Sequence, residues 1–347
     1  MKTLLRLLLK SQHQRNPSGP VQTEKGMTLV ELLVGAIMAF LIITPMLGFV
    51  VDMLNTDRRE QVKSNTEQDL QAAVDFIAQD LSQAIYIYDQ VGITATTAKL
   101  PPPPTNTTGT PILVFWKRQQ IKNAVPINST VSAKTPSACP PNGSECNDTY
   151  VLSLVVYYQI RDIAPNPTWC QPSGGTCPTR IARYEIRDGV KNPSSFDPTN
   201  PYYSLTDADE YAPDAAFDPS FDISKPLVNV TKGAGFKDAQ VLVNYIDHSS
   251  GPTVTVNECT TALGNPMDTT GVTPKAIPET TLRIPPAPPD IVNSFYACVD
   301  TSKNIARVTL RGNSLRRLQT DANYDAKKSA FFPTASIQVQ GLGGLAK

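Results

Sequence analysis

From Leu32 to Val51 no side chain carries a charge, and Thr44 is the one polar residue in the run. A helix of that length, rising about 1.5 Å per residue, matches a hydrocarbon core of roughly 30 Å. Pro45 removes one backbone hydrogen bond within it, and Gly48 weakens a helix by about 1 kcal/mol relative to alanine. Such a segment can kink, or melt and stretch. Beyond the run the period changes. Leu70, Ala73, Val74, Ile77, Leu81, Ala84, Ile85 and Tyr88 recur three and four apart and form a single apolar stripe. Gln68, Asp69, Asp75, Gln79, Asp80 and Gln83 are assigned to the opposite, polar face. The two patterns join into one predicted helix, of lipid-spanning character over 27–51 and amphipathic over 52–92. Gly92 and the run Pro101-Pro102-Pro103-Pro104 end it; four prolines can be neither helix nor central strand and read as an extended connector.

Residues 93–347 carry strand signals instead. Ile112–Trp116 is one strand, and Tyr150–Ile160, rich in β-branched and aromatic residues, is the strongest. Arg180–Arg187 alternates apolar and polar and can pair with it as an antiparallel hairpin. Ala239–Ile246 with Thr253–Val256 is a second predicted hairpin, turning through His248-Ser249-Ser250-Gly251-Pro252. Ser294–Asp300 with Ile305–Arg311 is a third, and Ser336–Gln340 is a last edge strand. The fold class predicted is α+β: a long N-terminal helix whose apolar stripe packs on an antiparallel β-sheet head with disulfide-bearing loops.

Composition sharpens this outline. The 31 prolines among 347 residues, most of them after residue 100, argue for a loop-rich β domain. A formal net charge of +0 and a mean hydropathy of −0.21 favour neither a nucleic-acid binder nor a polytopic membrane protein. Lys2, Arg6, Lys10, Arg15 and Lys25 stand before the apolar run against one acid, Glu24, whereas charges just after it nearly balance. The positive-inside rule then places the N-terminus in the cytoplasm and the head outside it.

Six cysteines in an exported domain invite pairing. Cys139 and Cys146 bracket six turn-forming residues, and so do Cys170 and Cys177, so two self-closed loops are the simplest arrangement, leaving Cys259 for Cys298. Six cysteines allow fifteen pairings in all. Zinc is disfavoured, because ligand cysteines stand two to four apart, usually with histidine, and neither His13 nor His248 is near a cysteine. The stretch from Asp197 to Asp222, with Asp207, Asp209, Glu210, Asp214 and Asp218, is acidic and interleaved with Phe196, Tyr202, Tyr203, Tyr211, Phe217 and Phe221. A solvated loop pinned by its aromatics is the plainer reading. A calcium site is the sharper one, although the stretch lacks the glycine and terminal glutamate of an EF-hand loop. Arg307, Arg311, Arg316 and Arg317 read as a solvated face, with an acidic polymer or a neighbouring subunit as the alternative. No nucleophile motif accompanies His248 and no glycine loop cradles a phosphate, so no catalytic residue, cofactor or metal is expected.

One residue remains unexplained by anchoring alone. Glu31 lies at the edge of the apolar run, where an uncompensated carboxylate costs on the order of 2–3 kcal/mol or more in lipid. Gly26-Met27-Thr28-Leu29-Val30-Glu31-Leu32-Leu33-Val34 resembles the processing site of type IV prepilins and type II secretion pseudopilins. That resemblance implies a prepilin peptidase that removes the leader 1–26 by cutting between Gly26 and Met27 and methylates Met27. It implies that Glu31 pairs with the freed N-terminus of an adjacent subunit during assembly. Met27 departs from the more usual phenylalanine. The partners implied are the peptidase, other pilins or pseudopilins, an inner-membrane assembly platform and membrane lipid. The chain would be a single-pass protein of the inner membrane with an extracytoplasmic head, passing into the fibre on assembly. The large proline- and cysteine-rich head is similar to the minor, tip-located class. Ile85-Tyr86-Ile87-Tyr88-Asp89, Pro111–Arg118 and the cysteine loops resemble cyanobacterial pseudopilins of hormogonium polysaccharide secretion, which implies a role in polysaccharide export and gliding motility. The alternatives are a minor pilin of a general type II-like system that initiates the pilus tip, and a single-pass adhesin or binding module that never polymerises.

Overall fold

The computed structural model describes residues 28–127, 146–163, 168–192, 201–202, 211–252, 255–269, 271, 273–286 and 293–342. The leader, Gly26, Met27 and Cys139 lie outside the described residues, as do Asp197, Asp207, Asp209 and Glu210. The chain divides into two compact units, Met1–Asp57 and Arg58–Lys347.

The first unit contains the start of helix α1 (Leu29–Ser82), which runs uninterrupted through Pro45. Thr44 Oγ1 donates back to the Phe40 carbonyl at 2.8 Å, so the hydroxyl is satisfied within the helix. Every residue of this unit from Leu29 onward is exposed, including Leu32, Phe40, Ile42 and Phe49.

In the second unit α1 turns amphipathic. Leu70, Ala73, Val74, Ile77 and Leu81 are buried, as their spacing predicts. The helix stops at Ser82, ten residues short of the expected end at 92. Ala84, Ile85 and Tyr88 continue the apolar recurrence but belong to a strand, β1 (Ala84–Ile87), and the residue after it. β-branched and aromatic side chains favour extended backbone here, and pairing of Tyr86 with Trp116 and Ile87 with Phe115 supplies the backbone hydrogen bonds a helix would have offered. A short helix, α2 (Gln90–Thr96), follows, capped by the Asp89 carboxylate, which accepts from Gly92 N at 2.8 Å. The four prolines belong to no helix or strand, and the carbonyls of Pro101 and Pro102 accept from Tyr158 and Tyr184 hydroxyls at 2.6 and 3.0 Å.

The expected strands lengthen into β2 (Thr107–Pro126), β3 (Cys146–Asp162) and β4 (Thr179–Arg187), followed by β5 (Gln240–Ile246). They form an antiparallel sheet in the order β1-β2-β3-β4-β5. β3 and β4 pair as predicted, Val155 opposite Glu185. β5 pairs with β4; of its predicted hairpin partner Thr253–Val256, Thr253 and Val254 lie outside the described residues, and residues 255–256 are not strand. Short elements come next: α3 (Glu258–Ala262), the two-residue pair β6 (Met267–Asp268) and β7 (Lys275–Ala276), and α4 (Glu279–Leu282). β8 (Arg283–Ile284), β9 (Phe295–Asp300), β10 (Ile305–Arg311) and β11 (Thr334–Gln340) complete a second antiparallel sheet, ordered β11-β10-β9-β8. The β9–β10 hairpin and the terminal edge strand are as predicted.

One apolar cluster joins the buried face of α1 to both sheets. Gly312, just after β10, lies against the helix: a Cβ there would meet Thr66 Cγ2 at 2.7 Å and Leu70 Cδ1 at 3.0 Å. At the far end of the cluster Trp116 is fully buried, stacks on Phe221 at 3.9 Å between centroids, and donates Nε1–H to Tyr88 Oη at 3.0 Å. Phe217 packs on it edge-on. Two disulfides, Cys170–Cys177 and Cys259–Cys298, match the expected pairing. Cys146 is also disulfide-bonded.

Trp116→Ala removes the side chain around which these aromatics gather. It should lower the unfolding free energy in a urea titration by about 3–5 kcal/mol, whereas Val256→Ala, at an exposed position, should change it by less than about 0.5 kcal/mol.

Candidate functional site

The start of α1 is built from Thr28 and Glu31. Glu31 N donates to Thr28 Oγ1 at 3.3 Å, while Glu31 Oε2 accepts from Thr28 N at 3.2 Å and Thr28 Oγ1 at 3.3 Å. This is a reciprocal capping box, which satisfies orphan N–H groups at the helix start. It also holds the carboxylate where the helix dipole is positive. Both residues are exposed, so Glu31 is presented just before the uncharged run Leu32–Val51, with the neutral N–H and O–H of Thr28 as its partners among the described residues. A cation brought beside it would form a shorter, charge-assisted bond roughly twice as strong.

A second polar constellation was not foreseen. Asp80, assigned by spacing to the polar face of the helix, is buried against the five-stranded sheet. Its Oδ1 accepts from Lys117 Nζ of β2 at 3.0 Å, and its Oδ2 accepts from Arg183 Nε of β4 and Tyr157 Oη of β3, both at 2.7 Å. Glu185, two residues along β4 and so on the same face as Arg183, closes the set, 3.1 Å from Lys117 Nζ and 2.8 Å from an Arg183 terminal nitrogen. Two acids balance two bases. Burial alone would raise the Asp80 carboxyl, but the Arg183 hydrogen bond and charge, then the Lys117 charge, hold it below its ordinary value. Burial, then the neighbouring Asp80 charge, pushes the Tyr157 phenol up. The carboxylate thus stays ionised inside the core, with three donors from three strands. The available signal in the sequence was Lys117 directly after five apolar residues and the Arg183/Glu185 pair at strand spacing; nothing local pointed to Asp80. A polar cleft of about 250 Å³ opens beside the cluster, lined by Arg183, Glu185, Arg187, Asp214, Lys237 and Asp238.

Of the four late arginines, Arg311 and Arg316 are buried rather than part of the expected solvated face, while Arg307 and Arg317 are half-buried. Arg316 is fully buried and donates to the carbonyls of Pro172, Gly174 and Thr176, each at 3.0 Å, inside the Cys170–Cys177 loop. Arg311 Nε reaches the buried Asp247 carboxylate at 3.0 Å, and Arg317 pairs with Asp69 of α1. Short loops expose carbonyls that need donors, and a guanidinium offers five N–H groups in one plane. His248 is buried beside these groups; burial first, opposed by Asp247 and assisted by Arg316, pulls its pKa below the ordinary value.

The described part of the acidic stretch is pinned rather than loose. Asp214 accepts from Arg187 N at 2.8 Å and pairs with Lys237 at 2.7 Å. Asp218 and Asp222 accept from the backbone N–H two residues on, at Ser220 and Ser224. Phe217 and Phe221 are buried around Trp116. Among the described residues no three His, Cys, Asp or Glu side chains gather as metal ligands would.

The fold and site define an α+β protein: one N-terminal helix long and apolar enough to cross a membrane, with antiparallel sheets and disulfide-closed loops behind it. The chain matches no protein-family model, no curated protein and no solved structure.

Asp80→Asn leaves Lys117 and Arg183 sharing Glu185 alone, one buried positive charge uncompensated, and should destabilise the protein by about 3–5 kcal/mol in chemical denaturation. The pH dependence has two limbs. His248 has a depressed folded pKa, so its contribution is complete above its ordinary value of 6.5 and is lost as pH falls below it. Asp80 has a depressed folded pKa too, so its contribution is complete above 3.8 and is lost as pH falls further. Thermal melts across pH should show both declines, and His248→Gln should remove the upper one.

Proposed function

We propose that this chain is a pseudopilin: a minor subunit of a type IV pilus-like secretion fibre, held in the inner membrane by α1 with its head outside the cytoplasm until assembly. The observation that carries the reading is Glu31, a carboxylate presented at the start of an uncharged run, Leu32–Val51, whose side chains are all exposed among the described residues. Lipid and then the helices of neighbouring subunits are the surroundings in which such a surface is stable. The amine freed by cutting between Gly26 and Met27 is the cation that replaces the neutral partners of Glu31. A prepilin peptidase supplies that cut and methylates Met27, and an inner-membrane platform lifts the subunit into the fibre. The narrower role, polysaccharide export with gliding motility, rests on the segments around Ile85–Asp89 and Pro111–Arg118. These lie at the junction of β1 and β2, where the head is tied to its helix.

Mass spectrometry of the mature protein should find N-methylated Met27 as the first residue. Gly26→Leu should leave full-length precursor in the membrane. Glu31→Ala should still be cleaved but should be absent from sheared fibres. Normal fibre incorporation of that variant, or a mature protein that retains its leader, would support a plain single-pass anchor carrying a binding module and defeat the fibre reading.

A further inference from the structure

Sheet edges left open are templates for another strand, and natural sheets guard them with lysine, proline, bulges or a covering segment. The long edges here are treated unequally. Along β1, the Ala84 carbonyl accepts from Asn304 Nδ2 and from Leu342 N, both at 2.8 Å, and the Ile87 carbonyl accepts from Thr301 Oγ1 at 3.0 Å. At the end of β5, the Tyr245 carbonyl accepts from Asn313 N at 2.8 Å, and Ile246 bridges to Gly312. β8 is only two residues long. β11 differs from all of them. It pairs with β10 in unbroken register from Thr334 opposite Arg311 to Gln340 opposite Ile305, and among the described residues no segment pairs with its other side.

The sequence of that strand is Thr334-Ala335-Ser336-Ile337-Gln338-Val339-Gln340. It contains no charge, no proline and no glycine. Ala335, Ile337 and Val339 pack on the core cluster, and the residues between them are exposed. The order is symmetric in kind about Ile337: Ser336 mirrors Gln338, Ala335 mirrors Val339, and Thr334 mirrors Gln340. Antiparallel self-pairing sets each residue against its mirror image, so a charged pair there would repel. A strand without charges that alternates symmetrically about its centre meets both conditions for pairing with itself, and polar stays opposite polar while apolar stays opposite apolar.

We propose that the open edge of β11 docks β11 of a second copy, antiparallel and centred on Ile337, so that two four-stranded sheets become one continuous sheet about a two-fold axis. The pairing requires neither cleavage at Gly26 nor polymerisation, so it stands apart from the fibre reading.

The test uses the whole chain in detergent, measured by sedimentation equilibrium. The wild type should be a dimer. The double variant Ser336→Lys with Gln338→Lys sets lysine against lysine twice, and it should weaken the dimer by on the order of tenfold or more. Ser336→Glu with Gln338→Glu should do the same, and here the fold is favoured because Gln338 lies opposite Arg307 on β10. An equimolar mixture of the two variants should reassociate. Circular dichroism matching the wild type establishes that each variant is folded. A monomeric wild type, a dimer unaffected by both variants, or folded variants that fail to reassociate when mixed would each overturn the proposal.

Discussion

A buried carboxylate on a helix is stable only if the surface it meets supplies its donors, and Asp80 depends on that condition. Lys117, Tyr157 and Arg183 reach it from three adjacent strands, and Glu185 neutralises the surplus. Apolar contacts alone would let α1 slide or rotate on the sheet, because hydrophobic burial has no direction. A set of charge-assisted bonds between one helical residue and three strands is satisfied in one register only. The position of the helix relative to β2, β3 and β4 therefore follows from the cluster, and the apolar stripe supplies the area around it.

The same logic recurs around the Cys170–Cys177 loop. That loop is too short to pair its own carbonyls, and Arg316 fills that need from the C-terminal part of the chain. Arg311 and Asp247 link β10 to the segment after β5. Loops that look detached in the sequence are thus tied by guanidinium groups rather than by further secondary structure. The aromatics of the acidic stretch do comparable work, enclosing Trp116 with Phe217 and Phe221.

The first part of α1 obeys a different rule. From Leu32 to Val51 its side chains are uncharged and exposed, and polar atoms are satisfied locally, as with Thr44 and, just before the run, the Thr28–Glu31 box. A helix is one of the few structures able to satisfy its backbone without water. The single chain therefore joins a segment suited to lipid to a segment suited to a sheet.

Much of this was legible in the residues. The uncharged run, the stripe from Leu70 to Leu81, the β3–β4 and β9–β10 hairpins and both described disulfides are consequences of local spacing, because burial on one face leaves a period that can be counted. What local spacing could not decide was where a period stops being helical. Ala84, Ile85 and Tyr88 keep the helical recurrence, yet β2 captures them as a strand. Nor could it decide that β5 pairs back to β4, or that Asp80, Arg311 and Arg316 turn inward. Those outcomes depend on partners distant in the chain, Asp80 with Arg183 and Arg316 with Gly174, and a charged residue reads as exposed until its counter-group is known. The sequence by itself determined which segments must be helix, strand and closed loop. Only the tertiary structure decided which charges are buried, because the cost of burying one is offset solely by groups that folding brings to it.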